Sequence, residues 1–138
     1  MNHELTHNTN DYAKYRFEKA LQMLETAKLA KDNDDYFSAN NRLYYALFHA
    51  IRSVLALDKV DFKKHSNVLG YFNKYYIATN IFDKSFGKLI ASASIIRNNS
   101  DYEDFYLINK NETEQLIKDT ELFLIAIKTY LQSQNIAI

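Results

Sequence analysis

The 138-residue chain has no cysteine, no proline and no tryptophan, and its only glycines are Gly70 and Gly87. Without cysteine there are no disulfides, no thiolate chemistry and no cysteine-ligated zinc, and the chain suits a reducing compartment. Without proline and with little glycine, the strongest punctuators of strands and turns are missing, which argues for long helices. Net charge is missing too: 17 basic and 17 acidic residues cancel, so no global field draws in a polyanion. Any contact with RNA must then use a local patch. No uncharged apolar run approaches the roughly 18 residues of a membrane span. The polar start MNHELTHNTNDY has no apolar core of the kind a signal peptide carries. The expectation is a soluble cytoplasmic protein with no membrane contact. There is also no Gly-rich phosphate loop, nucleophile elbow or Glu-x-x-His metal pair. His3 and His7 are four apart, but in a polar tail that spacing reads as incidental, so neither metal nor cofactor is expected.

What the chain does have is aromatic residues, eleven Tyr and nine Phe. Tyrosine suits half-buried surfaces, subunit contacts included. Tyr44, Tyr45, Tyr75, Tyr76, Tyr102 and Tyr106 are candidates for a partner-facing surface, with core packing as the alternative for about half of them.

Hydrophobic periodicity predicts five helices in a single domain, with residues 1–10 as a flexible tail. They run from about Asp11 to Lys31, Asp35 to Leu57, His65 to Ile77, Asp83 into the stretch IIRNNSDYEDFY, and Glu112 to Gln134. Asp34 or Asp35 caps the second, and Asn111, with Glu114 as capping-box partner, caps the fifth. Short connections between long helices imply an all-α, up-and-down bundle.

The second helix carries the most information. Apolar residues cover nearly its whole circumference, leaving one narrow stripe of Ser38, Arg42, Tyr45, His49 and Arg52. An enclosed helix must provide partners for such groups, because buried charge without a partner is costly. Asp101, Glu103 or Asp104, near the end of the fourth helix, are the expected source. A hydrogen-bonded core histidine beside solvated arginines satisfies the same pattern. In the fifth helix LFLIAI is apolar all round, so other helices enclose it or one face meets another subunit. The second option favours a homodimer to which the second or fifth helix contributes.

Three segments, in order, carry a resemblance. DDYFSANNRLYYALFHAIRSVLAL resembles the signature helix of HEPN domains, and HSNVLGYF resembles the His-Ser motif that follows it in one subgroup. RNNSDYEDFY resembles that subgroup's Arg-x-x-small-Asp-Tyr motif. The likeness extends over roughly residues 12–130. It implies a five-helix domain and, for many members, metal-independent ribonuclease activity in toxin or defence roles. The family's catalytic arginine is followed, four to six residues on, by a histidine, and two such motifs face each other across a dimer. Arg97 matches the arginine and Asn98 the polar residue after it. The histidine's window instead holds Asp101, Tyr102, Glu103 and Asp104.

Cleavage through the RNA 2′-hydroxyl works best with a general base whose pKa is near ambient pH, as histidine provides. Tyrosine, near a pKa of about 10, stays protonated. Asp101 is a possible base but a poor acid, and it adds negative charge beside a polyanion. Arg97 and Asp101 are expected to pair and to order the helix end near the Tyr45–His49 row.

Three readings follow. The first is a dimeric HEPN partner of a minimal nucleotidyltransferase, in a toxin–antitoxin or defence module, with weak or no catalysis. The second is an endoribonuclease toxin using Arg97 with Asp101, Tyr102 and His49. The third is a nucleotide- or phosphate-binding bundle in which Arg42, Arg52 and Arg97 converge on a phosphate, with Tyr45, Asn98 and His65 as further ligand-binding residues.

Overall fold

The structure, a computed structural model, describes the backbone of residues 2–102 and 108–138, and the side chains of 9–98 and 108–138. Helix α1 spans Asn2–Asp32, α2 Tyr36–Leu57 and α3 His65–Phe72, which continues as a π-helical turn over Asn73–Ile77. Helix α4 spans Lys84–Tyr102 and α5 Lys110–Ser133. The architecture is the expected all-α bundle, with no strand among the described residues.

Helices α1 and α2 form an antiparallel hairpin about Asp34, whose φ of 60° lies in the left-handed region. With so few glycines, such positions pass to other residues, here Asp34, Lys59, Asn80 and Asn135. Asp and Asn tolerate this conformation better than most residues. Folding the hairpin there sets Ala27, Ala20 and Ala13 of α1 opposite Ala39, Ala46 and Ser53 of α2, and all six are fully buried. Small residues facing small residues let the two backbones approach closely. Phe17 and Leu24 fill the layers between them.

Helix α2 is the enclosed element that its sequence implied. Its core residues include Leu43, Leu47, Ile51 and Val54, and α1, α3, α4 and α5 all pack against it. Asp35 caps it, accepting from the Ser38 N–H. Inside the bundle, Asn40 donates to Thr113 of α5 at 2.8 Å. Phe72 packs on Tyr76, Phe82 and Phe123, joining α3 to α5.

Three boundaries differ from expectation. Helix α1 starts at Asn2 rather than near Asp11, with neither proline nor glycine to stop it. Asn109, not Asn111, caps α5, its side chain accepting from the Glu112 N–H at 2.8 Å. Both asparagines suit a cap, and the earlier start places Thr113 in the core against Asn40. The third helix changes at Asn73 to i→i+5 bonding, with the Ala78 N–H on the Asn73 carbonyl at 2.8 Å. The wider turn accompanies Tyr76 and Ile77 pointing inward while Tyr75 faces out. The Tyr76 hydroxyl donates to Asp58 at 2.6 Å, tying this turn to the end of α2. The α4 backbone runs close by, since a Cβ added at Gly87 would meet Ile77 Cγ2 at 3.3 Å.

Candidate functional site

Tyr45, His49 and Arg52 lie along the half-buried stripe of α2, with Arg42 exposed further toward its N-terminus. Each of the three finds a partner on a different element. Arg97 reaches across from α4, donating to the Tyr45 hydroxyl at 3.3 Å. Its guanidinium carbon lies 4.7 Å from the centroid of the Tyr44 ring, a cation–π contact. The neighbouring rings of Tyr44 and Tyr45 meet edge-on. Arg97 is thus held against two tyrosines of α2.

His65 opens α3 and completes this corner. Its Nδ1 is 3.2 Å from the Tyr44 hydroxyl. Its ring centroid is 4.1 Å from that of Phe48. Burial lowers the His65 pKa from its ordinary value, and the charges of Arg97 and Arg52 lower it further. Tyr44 is buried beneath Arg97, and that burial raises its pKa. A tyrosine hydroxyl can donate or accept, so either tautomer of His65 fits, and one of them leaves a ring lone pair open.

His49 is in a different chemical state. Arg16, from α1, approaches its Nδ1 at 3.0 Å. A guanidinium only donates, so Nδ1 accepts and the remaining proton sits on Nε2. Burial brings the His49 pKa down to about 4, with further lowering from Arg16, Arg52, Lys19 and His65. The lone pair that a general base needs is therefore already engaged by Arg16. Arg16 also donates to the Tyr12 hydroxyl at 2.7 Å.

Arg52 bonds Asp61, in the connector after α2, at 2.6 Å. The sequence pointed to Asp101, Glu103 or Asp104 as partners for the stripe; for Arg52 the partner is Asp61. The connector simply turns back beside the last turns of α2. The backbone of Asp101 and Tyr102 belongs to α4, but their side chains, with residues 103–107, lie outside the described residues. The expected Arg97–Asp101 pair lies there as well. Arg42 and Asn98 are exposed and do not join these contacts.

Sequence reasoning brought Arg97 to the Tyr45 row but missed Tyr12, Arg16 and Asp61. A signal existed for Arg16: the same hairpin register that faces the alanines also places it beside His49. Of the six tyrosines considered for a partner surface, Tyr44 and Tyr76 are buried, Tyr45 is half-buried and Tyr75 is exposed. Tyr102 and Tyr106 lie among the side chains not described.

A family model described as HEPN domain matches residues 13–130. The chain belongs to the HEPN family. A Methanocaldococcus jannaschii protein named "Putative toxin MJ0142" is 35% identical over 119 residues, covering 86% of this chain and 81% of that protein. A "UPF0332 protein" of Thermotoga maritima is 32% identical over 114 residues, 83% of this chain and 86% of its own. "Putative toxin MJ0605", also from M. jannaschii, is 30% identical over 115 residues, 83% and 85% of the two chains. This HEPN chain is therefore similar, over most of its length, to proteins that carry the name "Putative toxin". Arg97 of α4 lies against Tyr44 and Tyr45 of α2, His65 of α3 meets Tyr44, and Arg16 of α1 meets His49. Among the described residues, no helix is long and apolar enough to cross a membrane.

Proposed function

We propose that this HEPN protein serves in a toxin–antitoxin or defence-type module as the partner of a minimal nucleotidyltransferase. In this reading it does not cleave RNA by the family's usual arginine–histidine mechanism. One observation carries it. The motif arginine, Arg97, lies against Tyr44 and Tyr45, while the sequence from Asn98 to Asn111 supplies no histidine. The relatives named as toxins support the toxin-type setting. His49, the imidazole on the α2 stripe, offers no free base nitrogen while Arg16 holds it.

The test has two arms. Purified protein is incubated with end-labelled tRNA and mRNA, wild type beside Arg97→Ala, and no Arg97-dependent cleavage is expected. The protein is also expressed with and without a minimal nucleotidyltransferase from its own genome. Copurification of the two, with relief of growth arrest, is the expected result. Robust cleavage that Arg97→Ala abolishes would defeat this reading.

A specific feature favours a second reading, an endoribonuclease. His65 touches Tyr44, which lies under Arg97, so an imidazole approaches the motif arginine from α3 rather than from α4. If that imidazole acts as base, His65→Ala and Arg97→Ala abolish cleavage together, while His49→Gln spares it.

A further inference from the structure

The outer side of α3 and the connector before it carry rings and lysines that the Arg97 corner does not use. Phe62, Tyr71 and Tyr75 form a short ladder. The Phe62 and Tyr71 ring centroids are 5.8 Å apart, and those of Tyr71 and Tyr75 4.5 Å. Phe62 and Tyr71 are half-buried, with inner edges packed on the core, whereas Tyr75 keeps 46% of its surface exposed. The π-helical turn over Asn73–Ile77 leaves Tyr75 outside with Tyr71 while Tyr76 and Ile77 turn inward. Turns of this kind recur at functional sites.

Exposed lysines stand beside each ring. Lys63 and Lys64 follow Phe62 directly, and Lys59 follows Asp58, which accepts from the Tyr71 hydroxyl at 3.1 Å. Lys74 Nζ lies 5.2 Å from the Tyr75 centroid, so cation and ring share one spot. The acids of this segment are already engaged. Asp58 accepts from both Tyr71 and Tyr76, and Asp61 is paired with Arg52. Among the described residues, none of the four lysines lies within ion-pair distance of a carboxylate. In a chain whose 17 basic and 17 acidic residues cancel, this is a local excess of positive charge.

Partly exposed rings interleaved with cations suit one class of partner. Unpaired bases stack on aromatic side chains while the phosphates between them meet lysines. An acidic peptide would use the lysines and leave the rings idle, and a double helix keeps its bases stacked inside. We infer that the Phe62–Tyr71–Tyr75 ladder, with its lysines, is a binding surface for single-stranded nucleic acid. It is distant from the motif arginine: Asp58 follows the end of α2, and Tyr45, which meets Arg97, lies about 20 Å back along that helix. The surface holds a strand and does not cut it, so the inference stands apart from the nucleotidyltransferase reading and from any catalytic role.

Fluorescence anisotropy of the full chain with labelled single strands of about 12 nucleotides tests it, RNA and DNA of one sequence side by side. Wild type is expected to bind single strands at low salt, and the corresponding duplex about tenfold more weakly or worse. With about three or four phosphates neutralised, the slope of log K against log salt should be about −2 to −3. Tyr75→Ala is expected to weaken binding about tenfold, and Tyr75→Phe to keep it, because stacking needs the ring and not the hydroxyl. Lys63→Ala with Lys64→Ala should weaken binding several-fold and flatten the salt slope. Since Lys63, Lys64 and Tyr75 are exposed, circular dichroism and melting of these variants should match wild type. Arg97→Ala should bind as wild type does. Binding of either strand carries the assignment, and the RNA-to-DNA ratio tells which is preferred. Absence of binding at low salt overturns it, as does binding that survives Tyr75→Ala or is lost in Arg97→Ala instead. Equal binding of the duplex, or competition by polyglutamate as effective as by unlabelled single strand, would show a surface that reads charge alone and would overturn it too.

Discussion

At His49 an imidazole sits among the cationic groups of Arg16, Arg52 and Lys19, and burial adds to their effect. Its pKa lies near 4 in the folded chain, below its ordinary value of 6.5. The unfolded chain therefore takes up a proton first as the solution is acidified. Stability that is fully present above pH 6.5 is lost as the pH falls toward about 4. Allowing for solvent screening of a half-buried group, the loss is about 1–2 kcal/mol. Urea unfolding across that range should show it, and His49→Gln should flatten the profile. The depressed pKa of His65 works in the same direction, so some slope remains in that variant. An unchanged profile in His49→Gln would mean that the cations around it are not felt. Asp58 gives a second test at this scale. It accepts from Tyr76 at 2.6 Å and from Tyr71 at 3.1 Å. Tyr76→Phe should cost about 1.5–3 kcal/mol, as expected for a hydrogen bond to a charged group.

At the level of elements, α5 depends on which asparagine caps it. Because the Asn109 side chain accepts from Glu112, Asn109→Ala should lower stability by about 1 kcal/mol. Asn111→Ala, already inside the helix, should be close to neutral, and equal effects would mean the cap is elsewhere. The sequence placed the cap two residues late because Asn109 and Asn111 have the same chemistry. What separates them is Thr113, which enters the core to meet Asn40 only if the helix begins at Lys110. The π turn was illegible for a related reason. Nothing local in NKYYI demands it, but it goes with placing Tyr76 against Asp58 and Phe72 while Tyr75 stays outside.

For the molecule as a whole, one enclosed helix and one aromatic cluster hold the bundle together. Phe72 is fully buried among Tyr76, Phe82 and Phe123, so Phe72→Ala should cost about 3–5 kcal/mol and lower the denaturation midpoint. A small loss would show that neighbouring rings collapse into the space. The sequence by itself determined the all-α class, the enclosed character of α2 and the family. Each rests on local information: periodicity along a helix, the absence of proline, and a short motif in order. Only the tertiary structure decided the partners. Arg97 meets Tyr45 from 52 residues away, Arg16 meets His49 from 33, and Tyr44 meets His65 from 21. Such pairs depend on how neighbouring helices cross and in what register, and a helix's own pattern records only which face is apolar. The same limit applied to LFLIAI, whose apolar circumference the sequence could read but not divide. The fold buries Phe123, Leu124 and Ile127 and leaves Leu122 and Ile125 outside, because α5 presents only one side to the bundle.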